Sequence, residues 1–125
     1  MILLLLTISI SGFTQTAPAE TVYNFNETDK DADFEGGTNG WIRYLIKNLA
    51  YPPEAMNNRI TGTVTVQFII DQKGKVSEVT ALSGPGILQK EGIRLIKKSP
   101  RWTPAIKNGE NVKAWKKQNI TFRLE

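Results

Sequence analysis

The side chains that usually carry enzymatic chemistry are scarce in this sequence. Among 125 residues there is no histidine and no cysteine, which removes the commonest general base, the commonest neutral metal ligand and every thiolate metal site. Carboxylates remain, but Asp71 and Glu78 flank a turn and Glu91 and Glu110 are scattered, so no spacing pairs them for acid–base work. We therefore expect a protein that is not an enzyme and that holds no cofactor and no metal.

The charged residues divide the chain into an acidic and a basic part. Residues 20–37 contain six acids and one base, whereas residues 38–125 contain 15 bases and six acids, a net charge of +9. Such a basic domain favours an acidic peptide, an anionic membrane or a nucleic acid as its partner, unless the charge only keeps the domain soluble. A nucleic acid is disfavoured, because there is no helix-turn-helix pattern and no basic stripe interleaved with solvent-facing aromatics.

The amino terminus has the pattern of an export signal. Residues 1–10 form an apolar run that is too short to cross a bilayer, which needs about 20 residues. The run fits the apolar region of a secretory signal peptide, with a cleavage site between Thr14 and Glu20. No Lys or Arg precedes the run. Either the true start lies further upstream, which would allow an inner-membrane anchor, or the α-amino group supplies the only charge before the run. A separate alternative is that the run is a buried amino-terminal strand.

These patterns predict three segments. Residues 1–19 are a signal peptide-like segment, residues 20–37 are an acidic flexible arm that ends at Gly36-Gly37, and residues 38–125 are one folded domain. The composition of the chain, 40% hydrophobic and 22% charged, is that of a globular protein with a real core.

Hydrophobic periodicity predicts an α+β fold within residues 38–125. Apolar residues at helical spacing predict helices, and alternation predicts strands, of which the one after Gly62 is the clearest. The second strand departs from strict alternation, which indicates a bulge or bend. In chain order the predicted elements are a helix over 38–49, a short helix from Pro53, a strand over 63–70, a turn over 71–74, a strand over 75–82, a helix over 87–98 and a one-sided strand over 112–124. This order of helix, hairpin, helix and strand gives a three-stranded antiparallel sheet with the helices packed on one face.

In the order and spacing of its short motifs, the chain resembles the carboxyl-terminal domain of the TonB energy transducers over residues 33–125. The motifs that carry the resemblance are Phe34 with Gly36-Gly37, Asn48-Leu49, Tyr51-Pro52 with Ala55, the segment 60–68, Gly74-Lys75-Val76 with Val79, the segment 100–104, Asn108-Gly109 and the terminal Ile120-Thr121-Phe122. Two residues depart from the pattern of similar proteins, Glu35 where proline is usual and Gly92 inside a helix. The proline-rich spacer of the transducers is also missing, since the segment before the domain contains only Pro18.

The resemblance implies a role in TonB-dependent transport across the outer membrane. In the family, an extended segment of an outer-membrane receptor, the TonB box, pairs with the last strand, whose backbone supplies the hydrogen bonds. This role implies a periplasmic location, and a longer, anchored form would in addition engage the ExbB/ExbD motor. The alternative is a soluble periplasmic adaptor of the same fold that binds proteins without energy coupling.

Carried over to this sequence, the pairing edge lies between Lys113 and Thr121. The lysines there either attract an acidic segment or protect the edge from aggregation, and Trp115 either is an exposed anchor or packs under the acidic arm. An open edge also allows strand-swapped homodimers. The full set of expected partner-binding residues is Lys113, Trp115, Lys116, Lys117, Gln118, Asn119 and Thr121, with Tyr51, Pro52 and Arg59 as secondary candidates.

Overall fold

The structure is a computed structural model that describes residues 21–125, so the signal peptide-like segment predicted for residues 1–19 lies outside the described part of the chain. In chain order the elements are β1 (Val22–Tyr23), α1 (Gly37–Asn48), α2 (Pro53–Asn57), β2 (Gly62–Ile70), β3 (Val76–Ser83), α3 (Gly86–Lys98), β4 (Ala105–Lys107) and β5 (Glu110–Phe122).

The centre of the sheet is the antiparallel unit that the sequence predicts, with β2 between β5 and β3. Alternation along β2 places Val64, Val66, Phe68 and Ile70 on one face, and all four are fully buried. β2 pairs with β5 in one continuous register of nine residue pairs. The helices α1 and α3 cover the buried face, which is the layer arrangement expected from the order of the elements.

The hairpin of β2 and β3 has the bulge that the sequence predicts. The register between these strands shifts at two places, and Glu78 on β3 has a φ of 52°. At the tip of the hairpin, one carboxylate oxygen of Asp71 accepts hydrogen bonds from the N–H groups of Lys73 and Lys75, both at 2.9 Å. Partial burial raises the pKa of the Asp71 carboxyl, but these N–H donors and the nearby lysines outweigh it, so the pKa lies below its usual value.

Two strands were not predicted, and they make the sheet five-stranded and mixed in orientation rather than three-stranded and antiparallel. β1 pairs with β5 in parallel, Val22 beside Lys113 and Tyr23 beside Ala114. β4 forms an antiparallel hairpin with the start of β5. Asn108 and Gly109 close that hairpin with φ angles of 52° and 79°, the left-handed values that a tight two-residue turn requires.

The acidic arm has more regular structure than the sequence predicts, because parts of residues 21–36 pair with strands of the domain. After β1, the arm runs antiparallel to β4 and to the residues that lead into β4. Isolated β-bridges join Lys30 to Ile106 and Asp33 to Thr103. Ala32 is 2% exposed, whereas the acidic side chains on either side of it point to solvent. The arm thus has the alternation of a half-buried strand in a segment whose composition is mainly polar.

Phe34 gives the physical reason why the arm is ordered. Its ring is 7% exposed and lies 5.1 to 5.4 Å, centroid to centroid, from the rings of Trp41, Tyr44 and Trp102. Trp102 in turn contacts Phe68 on β2 at 5.2 Å. Burying a phenylalanine side chain contributes about 1.5–3 kcal/mol, which adds to the backbone pairing that holds the arm against the domain.

Gly92 allows α3 to lie close to the sheet. A Cβ atom at this position would stand 3.1 Å from Cγ1 of Val64 and 3.3 Å from Cγ2 of Val66. Both valines are buried strand residues with restricted χ1 rotamers, so they have little freedom to move away. The glycine that departs from the family pattern therefore sets the distance between helix and sheet.

Replacing this glycine tests the close contact. We expect Gly92→Ala to lower the free energy of unfolding by roughly 1 kcal/mol, because an overpacking cost of about 1–3 kcal/mol exceeds the gain in helix propensity of about 1 kcal/mol. Gly86→Ala in the same helix is the matched control, since a Cβ there meets no atom within 4 Å. Urea unfolding of both variants measures the difference. Equal stability of the two would contradict the close packing.

Candidate binding site at the sheet edge

β5 has two flanks, and only one of them is fully paired. On one flank β2 pairs with residues 114–122. On the other flank β1 pairs with Lys113 and Ala114, and no strand within residues 21–125 lies beside the rest. We refer to the outer flank of residues 116–122 as the free edge, which leaves out Trp115 because it directly follows the residues paired with β1. It is the stretch on which the sequence predicts partner binding.

The direction of each backbone group at the free edge follows from the hairpin of β2 and β3. The N–H of Asp71 donates to the carbonyl oxygen of Lys75 at 2.9 Å, so the odd-numbered residues of β2 direct their backbone groups to β3 and the even-numbered ones to β5. The register of β2 with β5 is continuous and pairs even with even. The odd-numbered residues Lys117, Asn119 and Thr121 therefore direct their N–H and C=O groups outward, to the free edge.

Polar side chains line the outer face of β5, the face opposite the helices. Asn119 accepts a hydrogen bond from the Thr65 hydroxyl at 2.7 Å, and the hydroxyls of Thr121 and Thr63 are 3.0 Å apart. These cross-strand pairs fix the side chains of the edge strand against β2. The outer face at the free edge is therefore held in place before any partner arrives.

Trp115, for which the sequence left an exposed anchor and a packed position open, is half-buried. It lies opposite Ile69, which is only 6% exposed although it is on the outer face of β2. Residues opposite one another in an antiparallel pair share a face, so the indole is placed to cover the isoleucine. The sequence missed this because Ile69 falls outside the alternating apolar pattern of its strand.

The lysines of β5 lie on both of its faces. Lys117 is exposed on the outer face, with its ammonium 4.9 Å from the centre of the Phe25 ring. Lys116 and Gln118 are half-buried on the helix side, and the Gln118 amide donates to the Asn119 carbonyl at 3.1 Å. No lysine of β5 forms an ion pair within residues 21–125. Within that range no ion pair neutralises these cations.

The secondary candidates lie at the carboxyl end of β5. The Tyr51 ring is 5.6 Å from the ring of Phe122, and its hydroxyl donates to the carbonyl of Ile60. Arg59 donates to the carbonyl oxygen of Glu125 at 3.3 Å. Pro52, half-buried, directly precedes α2. The structure thus places this group beside one end of the free edge and away from Lys113 at the other.

The part of the arm that borders the free edge was not predicted from the sequence. The Lys107 ammonium lies 5.5 Å from the centre of the Tyr23 ring and donates to the carbonyl oxygen of Glu27 at 2.8 Å. The Asp29 carboxylate accepts from the N–H of Asn108 at 2.7 Å. A signal was present, because the segment Val22 to Phe25 is rich in residues that favour strands within an otherwise polar arm.

Two further properties concern the same described range. Residues 21–125 contain no group of three or more Asp, Glu, His or Cys side chains placed to hold a metal ion. None of the helices formed by these residues combines the length and apolarity needed to cross a bilayer.

Comparison with known proteins gives a family match and matches among solved structures. The family model described as the Gram-negative bacterial TonB protein C-terminal matches residues 47–124. The solution NMR structure of the TonB carboxyl-terminal domain of Pseudomonas aeruginosa superposes with a TM-score of 0.51 and 21% sequence identity, over 82% of this chain and 93% of that chain. This likeness concerns the fold. Among curated proteins, none matches the sequence.

The outward direction of alternate backbone groups is testable in the free protein. We expect the amides of Lys117, Asn119 and Thr121 to exchange quickly with solvent deuterium, while the even-numbered amides between them exchange slowly because they donate to β2. The amide of Lys113, beside β1, serves as the internal control and should exchange more slowly than that of Lys117. Amide hydrogen exchange by NMR measures this pattern, and uniform protection along β5 would show that the edge is occupied.

Proposed function

The chain belongs to the family of TonB carboxyl-terminal domains of Gram-negative bacteria, and we propose that it binds the TonB box of an outer-membrane receptor by β-strand addition. The observation that carries the proposal is the free edge, where three residues direct backbone groups outward with no strand beside them in residues 21–125. An extended peptide placed there would continue the sheet and complete these hydrogen bonds.

Backbone pairing supplies the affinity in this proposal. Lys117, Asn119 and Thr121 each offer one donor and one acceptor, and a typical hydrogen bond contributes about 0.5–1.5 kcal/mol after exchange with water. Threonine and asparagine pairs across β2 and β5 hold the edge strand in an extended conformation. Because the strand is ordered before binding, the peptide alone bears most of the ordering entropy.

Side-chain charge sets the preference for the partner. Lys113, Lys116 and Lys117 form no ion pair within residues 21–125, so they favour a receptor segment that carries Asp or Glu. The same lysines discourage pairing with an uncharged or basic strand. The preference is electrostatic and near the surface, so it should weaken as salt is added.

The wider role that we propose is in TonB-dependent transport, with the domain in the periplasm. Energy transduction would require an anchored form that engages the ExbB/ExbD motor, whereas an adaptor without energy coupling would need only the free edge. Complementation of a strain that lacks its own transducer separates the two roles. Restored receptor-dependent uptake supports transduction, and peptide binding without uptake supports the adaptor.

The direct test of edge pairing uses modified peptides. Short peptides from the amino-terminal segments of outer-membrane receptors are titrated against the full chain, and the best binder is then N-methylated at one position at a time. We expect affinity to fall by roughly tenfold at every second position only, because alternate N–H groups of an added strand face the domain. Equal sensitivity at neighbouring positions, or at none, would refute strand addition.

A pair of substitutions tests the same contact from the side of the protein. Asn119→Pro removes an outward N–H at an edge position where proline is tolerated, so peptide binding should weaken by roughly tenfold. Asn119→Ala is the control, because it loses the bond to Thr65 but keeps the N–H, and it should bind within about threefold of the original chain. The idea fails if the two variants bind equally well, provided that both retain the unfolding midpoint of the original chain to within a few degrees.

Phe25 provides a test of the charge preference. Its contact with the Lys117 ammonium is worth about 0.5–1 kcal/mol at an exposed site, so Phe25→Ala should free the cation and strengthen binding of an acidic peptide about two- to fivefold. Phe25→Leu keeps an apolar side chain without the aromatic ring, so it should strengthen binding of the acidic peptide to the same extent as Phe25→Ala. Fluorescence anisotropy at two salt concentrations measures both variants. Weaker binding would instead make Phe25 part of the binding surface.

A further inference from the structure

The outward sides of α1 and α3 form one continuous surface. The helices are antiparallel and joined by three hydrogen bonds: the Tyr44 hydroxyl donates to the Leu95 carbonyl at 2.6 Å, Arg94 donates to the Asn48 carbonyl at 2.9 Å, and the N–H of Ala50 donates to Glu91 at 2.7 Å. Their inward sides pack on the sheet. We refer to the solvent-exposed side of the two helices as the helical face.

The helical face is strongly basic. Residues 37–48 and 86–98, which form α1 and α3, carry six bases and one acid. The acid, Glu91, is 7% exposed and is neutralised by Arg94, whose Nε lies 2.7 Å from Oε1 of Glu91. The exposed bases that form no ion pair or hydrogen bond within residues 21–125 are Arg43, Lys47, Lys90, Lys97 and Lys98.

Two large apolar side chains stand among these cations. Ile42 is 47% exposed and Ile46 is 80% exposed, one helical turn apart on α1. Arg43 and Lys47 follow them with the same spacing, so the apolar and the basic pair are side by side on the solvent side of the helix. Single exposed apolar residues are common on protein surfaces, but an adjacent pair next to cations is typical of a binding surface.

We propose that the helical face docks on the surface of an anionic phospholipid bilayer. The two isoleucines enter the boundary between headgroups and acyl chains, and the surrounding lysine and arginine side chains reach the lipid phosphates. This inference does not depend on the proposed peptide binding, because the free edge of β5 borders the sheet and is not part of the helical face.

A bilayer explains these features better than an acidic protein does. The cations are spread over two helices, and the isoleucine with the larger exposure protrudes. Lipid phosphates in a fluid bilayer can move to wherever the cations lie. A folded protein partner would instead need carboxylates fixed at matching positions. Electrostatic attraction to the membrane acts within about a Debye length, roughly 8–10 Å, so every base on such a face contributes.

Vesicle binding of the full chain tests the proposal. Vesicles of phosphatidylcholine with added phosphatidylglycerol are compared with vesicles of phosphatidylcholine alone in a co-sedimentation assay. The double variant Lys90→Glu with Lys97→Glu should weaken binding to the anionic vesicles at least tenfold, because each base near the surface contributes roughly a fivefold factor. Ile42→Ser with Ile46→Ser should weaken binding about fivefold at unchanged charge.

A matched control separates a defined face from net charge. The triple variant Ser77→Glu, Thr80→Glu and Arg123→Glu changes the net charge by the same amount on the outer face of the sheet and at the chain end, on the side opposite α1 and α3, and should leave binding within about twofold. All variants keep residues 1–20, so any contribution of the apolar amino terminus to vesicle binding is the same in each. Equal losses in the control and in the Lys90/Lys97 variant would overturn the proposal.

A probe placed on the helical face gives a second readout. Because the sequence has no cysteine, Ile46→Cys can be labelled selectively with an environment-sensitive dye, and Ser77→Cys, exposed opposite Ile69 on the outer face of the sheet, carries the same dye as a reference. Anionic vesicles should shift the emission at position 46 to the blue and leave position 77 unchanged. No shift at position 46, or binding of poly-glutamate through Lys90 and Lys97 without binding of vesicles, would overturn the proposal, the latter in favour of an acidic protein.

Discussion

The pairing of β2 with β5 determines both what is buried and what is left open. Nine consecutive residue pairs without a shift hold the two strands in one register. In a strand, a slip of one residue exchanges the two faces, so this register also places Ile120 and Phe122 in the core and Asn119 and Thr121 on the outer face. The same register directs alternate backbone groups of β5 away from β2. Core packing and edge chemistry thus follow from one set of hydrogen bonds.

The acidic arm has a similar double effect. Phe34 completes the aromatic cluster around Trp102. Its burial places the preceding residues of the arm against the surface of the domain. The chain then arrives at β5 in position to pair with Lys113 and Ala114 through β1. As a result the open part of the edge begins beyond Ala114. The arm defines one end of the available strand, and the chain after Phe122 defines the other.

Much of this arrangement is predictable from the sequence, and the exceptions have physical reasons. The alternation from Val64 to Ile70 fixes β2 and its buried face, and the glycine-containing turn after it fixes the hairpin. The hairpin of β4 and β5 could also have been predicted, because Asn108-Gly109 is a strong two-residue turn signal. β1 was not predictable from local pattern, since a parallel pair of two residues depends entirely on where the rest of the chain places it.

The candidate site was predicted less completely than the fold. The edge strand itself follows from the long one-sided pattern of residues 112–124, but burial of Trp115 depends on Ile69, a residue on another strand. Contact between Phe25 and Lys117 joins residues 92 positions apart, which no spacing rule relates. Long-range contacts of this kind decide which side chains at an edge are available, whereas periodicity decides only that an edge strand exists.

The lysines of β5 reconcile an open edge with a soluble protein. Lys116 and Lys117 project from opposite faces of the strand. A strand that pairs with the free edge therefore has a cation beside each of its faces. Two copies that paired through this edge would bring their lysines together, and like charges on adjacent strands are destabilising. A segment rich in Asp or Glu meets attraction at the same positions. In the proposed mode of binding, charge on the edge strand therefore disfavours a second copy and favours an acidic partner, although both would use the same backbone groups.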